Sequence, residues 1–448
     1  MPESASGVPS SPQGPVGSRL KDPVAFFRDE GWTLGIIGLG YVGLPLAVAS
    51  AQRGMKVIGF DVDKGKIDAL NAGRSHVLDV ADRELADVQH LFRATGDEND
   101  LAQADALVVC VPSPLGRNRT PDMSYLESAA AMVARVARPG QLIALESTTY
   151  PGSTEDLFLP AIATAGLELD KDVWIAFSPE RIDPGNALGP AAIPKVVGGV
   201  SVASGDVASA AYQRLVDTVH TVSTARAAEL TKLLENTYRS VNIALVNELA
   251  QLANLMDVDV WEVIDAAATK PFGFQAFRPG PGVGGHCIPL DPQYLAWRAR
   301  EVRAPTRFID LAQQVNDTMP AYVVERLALA LNDGGLAIRD AKILGVGVAY
   351  KPNIGDDRES ASIDVLEQLA ARGADISVLD PHVPAARAAS RGWHPVTDAE
   401  ASNYDVALIL TDHDGLDYEE IAKSATIVFD TRDAYRRRGI HRGNVQRL

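Results

Sequence analysis

The stretch TLGIIGLGYVGLPLAVASAQRGMKVIGFDVD, from Thr33 to Asp63, limits the fold more than any other part of the chain. An apolar run is followed at once by G-x-G-x-x-G at Gly38, Gly40 and Gly43, then by a helix-like segment and a second apolar run that ends at Asp61. A strand, a tight turn and a helix that returns to a parallel strand use these parts in this order. Gly38 makes the turn, Gly40 lets a pyrophosphate approach the backbone, and Gly43 permits close packing of helix on strand. The helix N-terminus then faces the phosphates. The Asp61 carboxylate accepts hydrogen bonds from the adenosine ribose and repels a 2′-phosphate, so the expected cofactor is NAD rather than NADP. The competing reading is a βαβ turn held by packing alone, with no ligand.

The alternation continues through ALVVCVPSPL, a helical segment from Ser124 to Val136, QLIALESTTYPG, DVWIAFSPERIDPGN and KVVGGVS. Repeated strand and helix of this kind means a mostly parallel sheet covered on both faces, with ligands beyond the carboxyl ends of the strands. Ser113, Ser147, Thr148, Glu180, Arg181 and Asp183 fall at that rim, whereas Cys110 inside an apolar run reads as buried filler. A second unit of the same type starts at AKILGVGVAYKPNIGDDRESAS, with Gly345 and Gly347 at the turn and Asp380 after the next strand. Its third glycine is missing, so it is a degenerate repeat. Further strands follow at DVALILTD and TIVFDTRDAY.

Between these units, residues 225–256 carry apolar side chains at three- and four-residue intervals, through Leu230, Leu233, Leu234, Tyr238, Val241, Leu245 and Leu249. A helix of about thirty residues spans about 45 Å, which suits a spine between domains or a dimer contact. The fold class is therefore α/β, with two doubly wound Rossmann-like domains joined by a long central helix and a helical middle domain. The expected division is a disordered leader at residues 1–31, an NAD-binding domain at 32–222, the helical domain with its cysteine loop at 223–335, and a second Rossmann-like domain at 336–448. A chain of 448 residues exceeds one hydrophobic core and fits this count.

Charge and cysteine content narrow the function. With 58 acidic against 42 basic side chains the formal charge is −16, which argues against nucleic acid or an anionic membrane as the partner. Two cysteines, Cys110 and Cys287, make no disulfide scaffold, and the reducing cytoplasm is the expected compartment. No apolar stretch reaches membrane-spanning length, and the N-terminus lacks the basic and apolar regions of a signal peptide. The eight histidines show no spacing that groups ligands, so no metal site is expected.

Cys287 follows a run of glycines and prolines in FGFQAFRPGPGVGGHCIPLDPQY, with Asp291 four residues later. Such a loop brings backbone amides and a thiol close to a small molecule. Lys232 and Asn236 lie four apart on one face of the long helix, and a lysine reaching the loop would favour the thiolate and hold a developing oxyanion. Glu180 is a candidate general base, and His286 a weaker one because adjacent side chains often point apart. A dinucleotide site with a reactive thiol favours oxidation of an aldehyde through a thiohemiacetal and thioester, giving a carboxylate.

Seven motifs, GLGYVGLPLA, ESTTYPGST, SPERIDPGN, ELTKLLENTYRSVN, FRPGPGVGGHCIPLDP, AYKPNIGDDRES and FDTRDAY, stand in an order that resembles the UDP-glucose/GDP-mannose dehydrogenase family from Trp32 to Tyr435. The cysteine loop is most similar to bacterial UDP-N-acetylglucosamine and UDP-N-acetylmannosamine 6-dehydrogenases, and His286 reads as a mark of that subgroup. The resemblance implies four-electron oxidation of a sugar C6 alcohol with two NAD per turnover. It implies Cys287 as nucleophile, Lys232 and Asn236 as the helix pair that positions substrate and oxyanion, Asp291 as the carboxylate assisting water and lysine, Glu180 in thioester hydrolysis, and Thr148 near the attacking water. Gly38, Gly40, Tyr41, Val42, Gly43, Asp61, Ser113, Thr148 and Arg358 match cofactor contacts. Glu180, Arg181, Lys232, Asn236, Arg278, Gly280, Gly282, Gly284, Tyr350, Lys351 and Arg432 match contacts to the UDP-sugar. Pro184 stands where glucose enzymes carry a second glutamate, and a homodimer through the central helix is implied. The same chemistry on UDP-glucose, a two-electron hydroxyacid dehydrogenase, and a non-catalytic NAD- and UDP-sugar-binding protein are the alternatives.

Overall fold

The computed structural model describes residues 16–29, 31–77, 79–116, 119–181, 192–399 and 404–448. The chain forms two compact units, Met1–Lys232 and Leu233–Leu448. The boundary falls inside the long helix, which runs without a break over Ala225–Leu255.

The first unit is built on an eight-stranded sheet. Its strands are β1 (Thr33–Ile37), β2 (Lys56–Phe60), β3 (Phe92–Thr95), β4 (Ala106–Val109), β5 (Gln141–Leu145), β6 (Val173–Phe177), β7 (Lys195–Gly199) and β8 (Val219–Val222). They lie in the order β3-β2-β1-β4-β5-β6-β7-β8. Alternate residues along a strand enter opposite cores: Leu34, Ile36, Val108 and Ala144 join one, while Ile37, Leu107, Val109 and Ile143 join the other. Helices cover both faces, so the central strands read as unbroken apolar runs.

One pair of strands qualifies the mostly parallel sheet, and the leader departs from expectation. All neighbouring strands are parallel except β6 and β7, which run antiparallel with Ala176 opposite Gly199 and Phe177 opposite Gly198. An antiparallel neighbour needs no helical crossover, and nothing in the apolar pattern of KVVGG states its direction. The expected leader is also folded in its second half, as helices Val16–Lys21 and Pro23–Arg28. Phe27 is fully buried, its ring is 5.3 Å edge-on from Trp32, and its carbonyl accepts the Trp32 indole N–H at 3.1 Å. Arg19 adds a buried ion pair to Asp105 at 2.5 Å. The Pro-, Ser- and Gly-rich composition that suggested a structureless leader belongs mostly to residues 1–15.

The second unit carries a six-stranded, wholly parallel sheet. Its strands are β9 (Lys342–Val346), β10 (Asp375–Leu379), β11 (His394–Val396), β12 (Tyr404–Ile409), β13 (Ala425–Asp430) and β14 (Val445–Arg447), in the order β11-β10-β9-β12-β13-β14. That order repeats the arrangement of β1 to β6 and is the doubly wound one. Helices Val260–Ala268, Asp291–Glu301 and Arg307–Asp333 precede it.

The two glycine turns share one device. Gly38 has φ +97° and Gly347 φ +79°, values that disfavour a side chain. In the first turn Asp61 Oδ2 accepts the Leu39 amide at 3.0 Å; in the second Asp380 Oδ2 accepts Val348 at 2.7 Å and Ala349 at 3.1 Å. The repeat read from the sequence is thus a repeat of backbone geometry. In the second turn, however, the carboxylate also meets the buried His413 Nε2 at 3.2 Å, and His382 and Val383 donate backbone amides to its other oxygen. Although burial alone would raise the Asp380 carboxyl, the bond and charge of His413 and these amides hold it far below the usual range.

Candidate active site

At the first glycine turn, a Cβ on Gly43 would run into the Gly38 carbonyl, while a Cβ on Gly40 would meet nothing within 4 Å. Gly43 is thus needed for packing and Gly40 borders open space, the arrangement a pyrophosphate requires. The helix Gly43–Gln52 starts without a side-chain cap at Val42, and Tyr41 beside it is half exposed. Asp61 is buried and also accepts the Asp63 amide at 2.9 Å. The residues present fit a bound dinucleotide. Ser113 and Thr148 are buried beyond β4 and β5.

The loop carrying Thr148 is tied to the long helix by Glu229. This buried carboxylate accepts the Gly152 and Thr154 amides and the Ser153 and Thr154 hydroxyls, capping the helix Ser153–Thr164. Burial pushes its carboxyl up against the pull of those donors. One turn further on, Lys232 is 7% exposed, yet its ammonium makes no hydrogen bond or ion pair among the described residues. A sheltered side chain whose ammonium is not engaged by the protein leaves that ammonium to a ligand group.

Glu180 lies beyond β6 and is also buried. Its Oε2 accepts from Lys195 Nζ at 2.8 Å and its Oε1 from the Arg181 amide at 2.6 Å. The same Lys195 donates to Glu146 Oε2 at 2.7 Å, and Tyr212 Oη donates to Glu146 Oε1 at 2.7 Å. Lys195 and Tyr212 stand in none of the seven motifs, and Glu146, which heads ESTTYPGST, was given no role there. Arg181 directs its guanidinium to the Pro194 carbonyl at 2.8 Å. Asp183 and Pro184 lie outside the described residues.

In the second unit Cys287 is exposed, and its carbonyl accepts the Asp291 amide at 2.9 Å at the start of the helix Asp291–Glu301. Asp291 is buried, and Asn236 Nδ2 donates to its Oδ2 at 2.5 Å, so two of the expected residues meet. The loop before the thiol is fitted closely to its surroundings. The Gly280 amide donates to Asn247 Oδ1 at 3.0 Å, Asn247 Nδ2 donates to Asn316 Oδ1 at 3.0 Å, and a side chain at Gly280 would overlap the Arg432 guanidinium. Gly282 has φ +137°, and a Cβ at Gly284 would lie 2.7 Å from the Glu359 carbonyl and 2.8 Å from Tyr350 Cβ. Gly284 is needed for close approach to backbone and Gly282 for turning. Arg432 Nε donates to the Leu410 carbonyl at 2.6 Å.

Other expected residues sit in pairs whose second members were not foreseen. Arg278 bonds Asp265 at 2.6 Å, and Arg436 bonds the other oxygen of Asp265 at 2.7 Å. Both arginines hold the Asp265 carboxyl below the usual range, Arg278 with the larger effect. Arg358 spends its guanidinium on Asp356, at 2.6 to 3.1 Å, and its carbonyl accepts the Gly285 amide. Tyr350 donates its amide to the Asp356 carbonyl at 3.1 Å, and Lys351 follows on the same loop.

Family models match three successive segments: the UDP-glucose/GDP-mannose dehydrogenase NAD binding domain at residues 32–216, the central domain at 226–318 and the UDP binding domain at 344–437. The chain belongs to the UDP-glucose/GDP-mannose dehydrogenase family. It is an NAD-dependent nucleotide-sugar dehydrogenase, an oxidoreductase. It is 35% identical over 382 residues to a UDP-N-acetyl-D-glucosamine 6-dehydrogenase of Pseudomonas aeruginosa, covering 84% of this chain and 90% of that one. It is 34% identical over 428 residues to a UDP-N-acetyl-D-mannosamine dehydrogenase of Pyrococcus horikoshii, covering 92% of this chain and all of the relative. The solved structure of a UDP-D-ManNAc dehydrogenase from Pyrococcus horikoshii superimposes with a TM-score of 0.82 at 33% identity, covering 90% of this chain and 96% of that one. A UDP-glucose dehydrogenase from Pyrobaculum islandicum reaches 0.81 at 27% identity, covering 93% and 97%.

In this dehydrogenase the Gly38 turn and Asp61 belong to the segment matched by the NAD binding domain, and Arg432 and Lys351 to that matched by the UDP binding domain. Among the described residues no helix is long and apolar enough to cross a membrane, and no group of three or more His, Cys, Asp or Glu side chains is arranged to hold a metal.

Proposed function

We propose that the chain oxidises the C6 hydroxyl of a UDP-N-acetylhexosamine, UDP-GlcNAc or UDP-ManNAc, to the uronate in the cytoplasm. The observation that carries this reading is the exposed Cys287 thiol at the end of a glycine loop fitted against Arg432, Tyr350 and Asn247, with the Asn236–Asp291 pair beside its helix. A simple alcohol oxidation needs no thiol. The names of the relatives, N-acetylhexosamine dehydrogenases over most of their lengths, support the sugar class.

Bound NAD supplies the hydride acceptor for each of the two oxidations. The Cys287 sulfur adds to the C6 aldehyde to give a thiohemiacetal, and loss of hydride from that carbon leaves a thioester. Lys232 holds the oxygen that gains charge, as a positioned cation does best in a water-poor site. Asn236 fixes the Asp291 carboxylate, which with Glu180 and Thr148 orders the water that releases the uronate. Arg278, Gly280, Gly282, Gly284, Tyr350, Lys351 and Arg432 cradle the nucleotide sugar, with Arg181 at the rim beside Glu180. Gly38, Gly40, Tyr41, Val42, Gly43, Asp61, Ser113 and Arg358 hold the cofactor.

The test counts NADH formed per sugar consumed over a panel of UDP-sugars. A ratio near two with an N-acetylhexosamine is expected; a ratio near one overturns the thioester route, and turnover of UDP-glucose alone overturns the substrate class.

The protein is further proposed to be a homodimer through the long helix. Leu234, Tyr238, Leu245, Leu249, Leu252 and Leu255 are 43 to 85% exposed along it, an apolar extent that a lone helix in water does not favour. Sedimentation of the purified chain at twice 47.7 kDa is the expected result, and a single-chain mass at micromolar concentration contradicts it.

A further inference from the structure

The cluster Glu146, Lys195, Glu180 and Tyr212 has no assigned part in the chemistry above apart from Glu180. Its burial is extreme: the side chains of Lys195, Glu146 and Glu180 are 4, 0 and 7% exposed. One ammonium bridges two carboxylates, at 2.7 and 2.8 Å. The Tyr212 hydroxyl takes the remaining oxygen of Glu146, and the Arg181 amide takes that of Glu180. Taking three charges out of water is expensive, and apolar side chains of similar volume often do as well or better for stability. The cluster therefore calls for a role beyond holding strands together.

The reversed strand explains how it forms. Glu146 follows β5 by one residue and Glu180 follows β6 by three, both at the carboxyl rim. Lys195 opens β7, and because β7 runs against β6 its first residue lies at that same rim. Continuing the register of Ala176 with Gly199 and Phe177 with Gly198 sets Lys195 opposite Glu180. A parallel β7 would put the lysine at the other end of the sheet.

We infer that Lys195 is a positioning residue for thioester hydrolysis: anchored by Glu146 and Tyr212, it keeps Glu180 ionised and fixes the direction of its carboxylate toward the attacking water. This rests on the thioester reading of the preceding section. In the step concerned, the water oxygen bonds to the acyl carbon while its proton passes to Glu180. The adduct then collapses, the C–S bond breaks, and its electron pair leaves with Cys287 Sγ as thiolate. Among the described residues, the titratable groups of the cluster around Glu180 come from several elements. Lys195 comes from β7, Glu146 from the end of β5, Cys110 from the end of β4, Tyr212 from the helix Val202–Leu215 and Lys232 from the long helix, the last through its field at Cys110.

The signs follow from charge. An ammonium in contact favours the carboxylate, so its loss raises the pH at which Glu180 ionises. Burial works against the Lys195 ammonium, but its two carboxylates outweigh it and hold the group charged far above neutrality. Loss of Glu146 alone has the reverse effect, leaving Lys195 to Glu180.

The experiment uses the full chain with the UDP-sugar that the wild type turns over, and compares Lys195→Gln, Lys195→Arg and Glu146→Gln. For Lys195→Gln the acid limb of the kcat profile should move up by about one pH unit or more, and kcat should fall about 10- to 100-fold. Intact mass after quenching should show a uronyl adduct on Cys287, and Lys195→Arg should recover most of the rate. Glu146→Gln should move the acid limb down, and it reads the inference even if Lys195→Gln does not fold. Unmoved acid limbs in the folded variants, or a rate loss in Lys195→Gln without acyl-enzyme, overturn it. Wild-type stoichiometry separates the two claims: two NADH per sugar with unmoved limbs removes Lys195 alone, whereas one NADH per sugar removes the thioester reading and this inference with it.

Discussion

Replacing Cys287 with alanine should abolish uronate formation, lowering its rate about 10³-fold or more, the scale on which loss of a covalent nucleophile is felt. The first oxidation, from alcohol to aldehyde, needs no thiol. Residual NADH production by the variant should therefore stop near one equivalent, with an aldehyde that hydroxylamine traps. Folding should be unaffected, because Cys287 is exposed and the loop is held by other contacts: the Gly280 amide on Asn247, the Gly285 amide on the Arg358 carbonyl, and glycines packed on Tyr350. Undiminished uronate formation by Cys287→Ala would leave the thiol without a role.

The second large effect concerns Lys232. Replacing it with methionine should reduce kcat about 10²- to 10³-fold, the range for removing one group that stabilises a developing oxyanion. KM should move much less. What separates this from damage to the fold is the expected stability. Lys232 is 7% exposed and its ammonium has no hydrogen-bond or ion-pair partner among the described residues, so an apolar side chain of similar length breaks no contact of the fold. The melting temperature of Lys232→Met should equal that of the wild type while activity collapses. A variant that melts much earlier, or one that keeps its kcat, contradicts the role.

Both experiments bear on residues that are legible in the amino-acid sequence. Lys232 and Asn236 are four apart in an apolar-periodic segment, and Cys287 and Asp291 are four apart beyond a glycine run; each spacing carries a local geometry. The fold adds that Asn236 and Asp291 bond one another at 2.5 Å. The glycine turns are legible for the same reason, since a positive φ at Gly38 and the amide bond to Asp61 are properties of one βαβ unit. Less legible are partners distant in the chain. Arg278 is expected at the ligand, and its bond to Asp265, which Arg436 shares, has no trace in the motif. Phe27 is buried against Trp32 in a segment whose first half carries every mark of an unstructured leader.

By itself the sequence determined the class of fold, the NAD turn, the long helix and the reactive thiol. Each is written in short-range pattern: unbroken apolar runs for the covered strands, a 3.6 period for helices, and glycines where the backbone must turn or be approached. Only the tertiary structure decided the direction of β7, the docking of the helix around Phe27 and the fit of Gly280 beneath Arg432. It also decided that Lys195 joins Glu146, 49 residues away, and Glu180, 15 residues away. The physical reason is that an apolar strand packs equally well in either direction. The register between strands selects which distant charges meet, and no local period in the chain carries it.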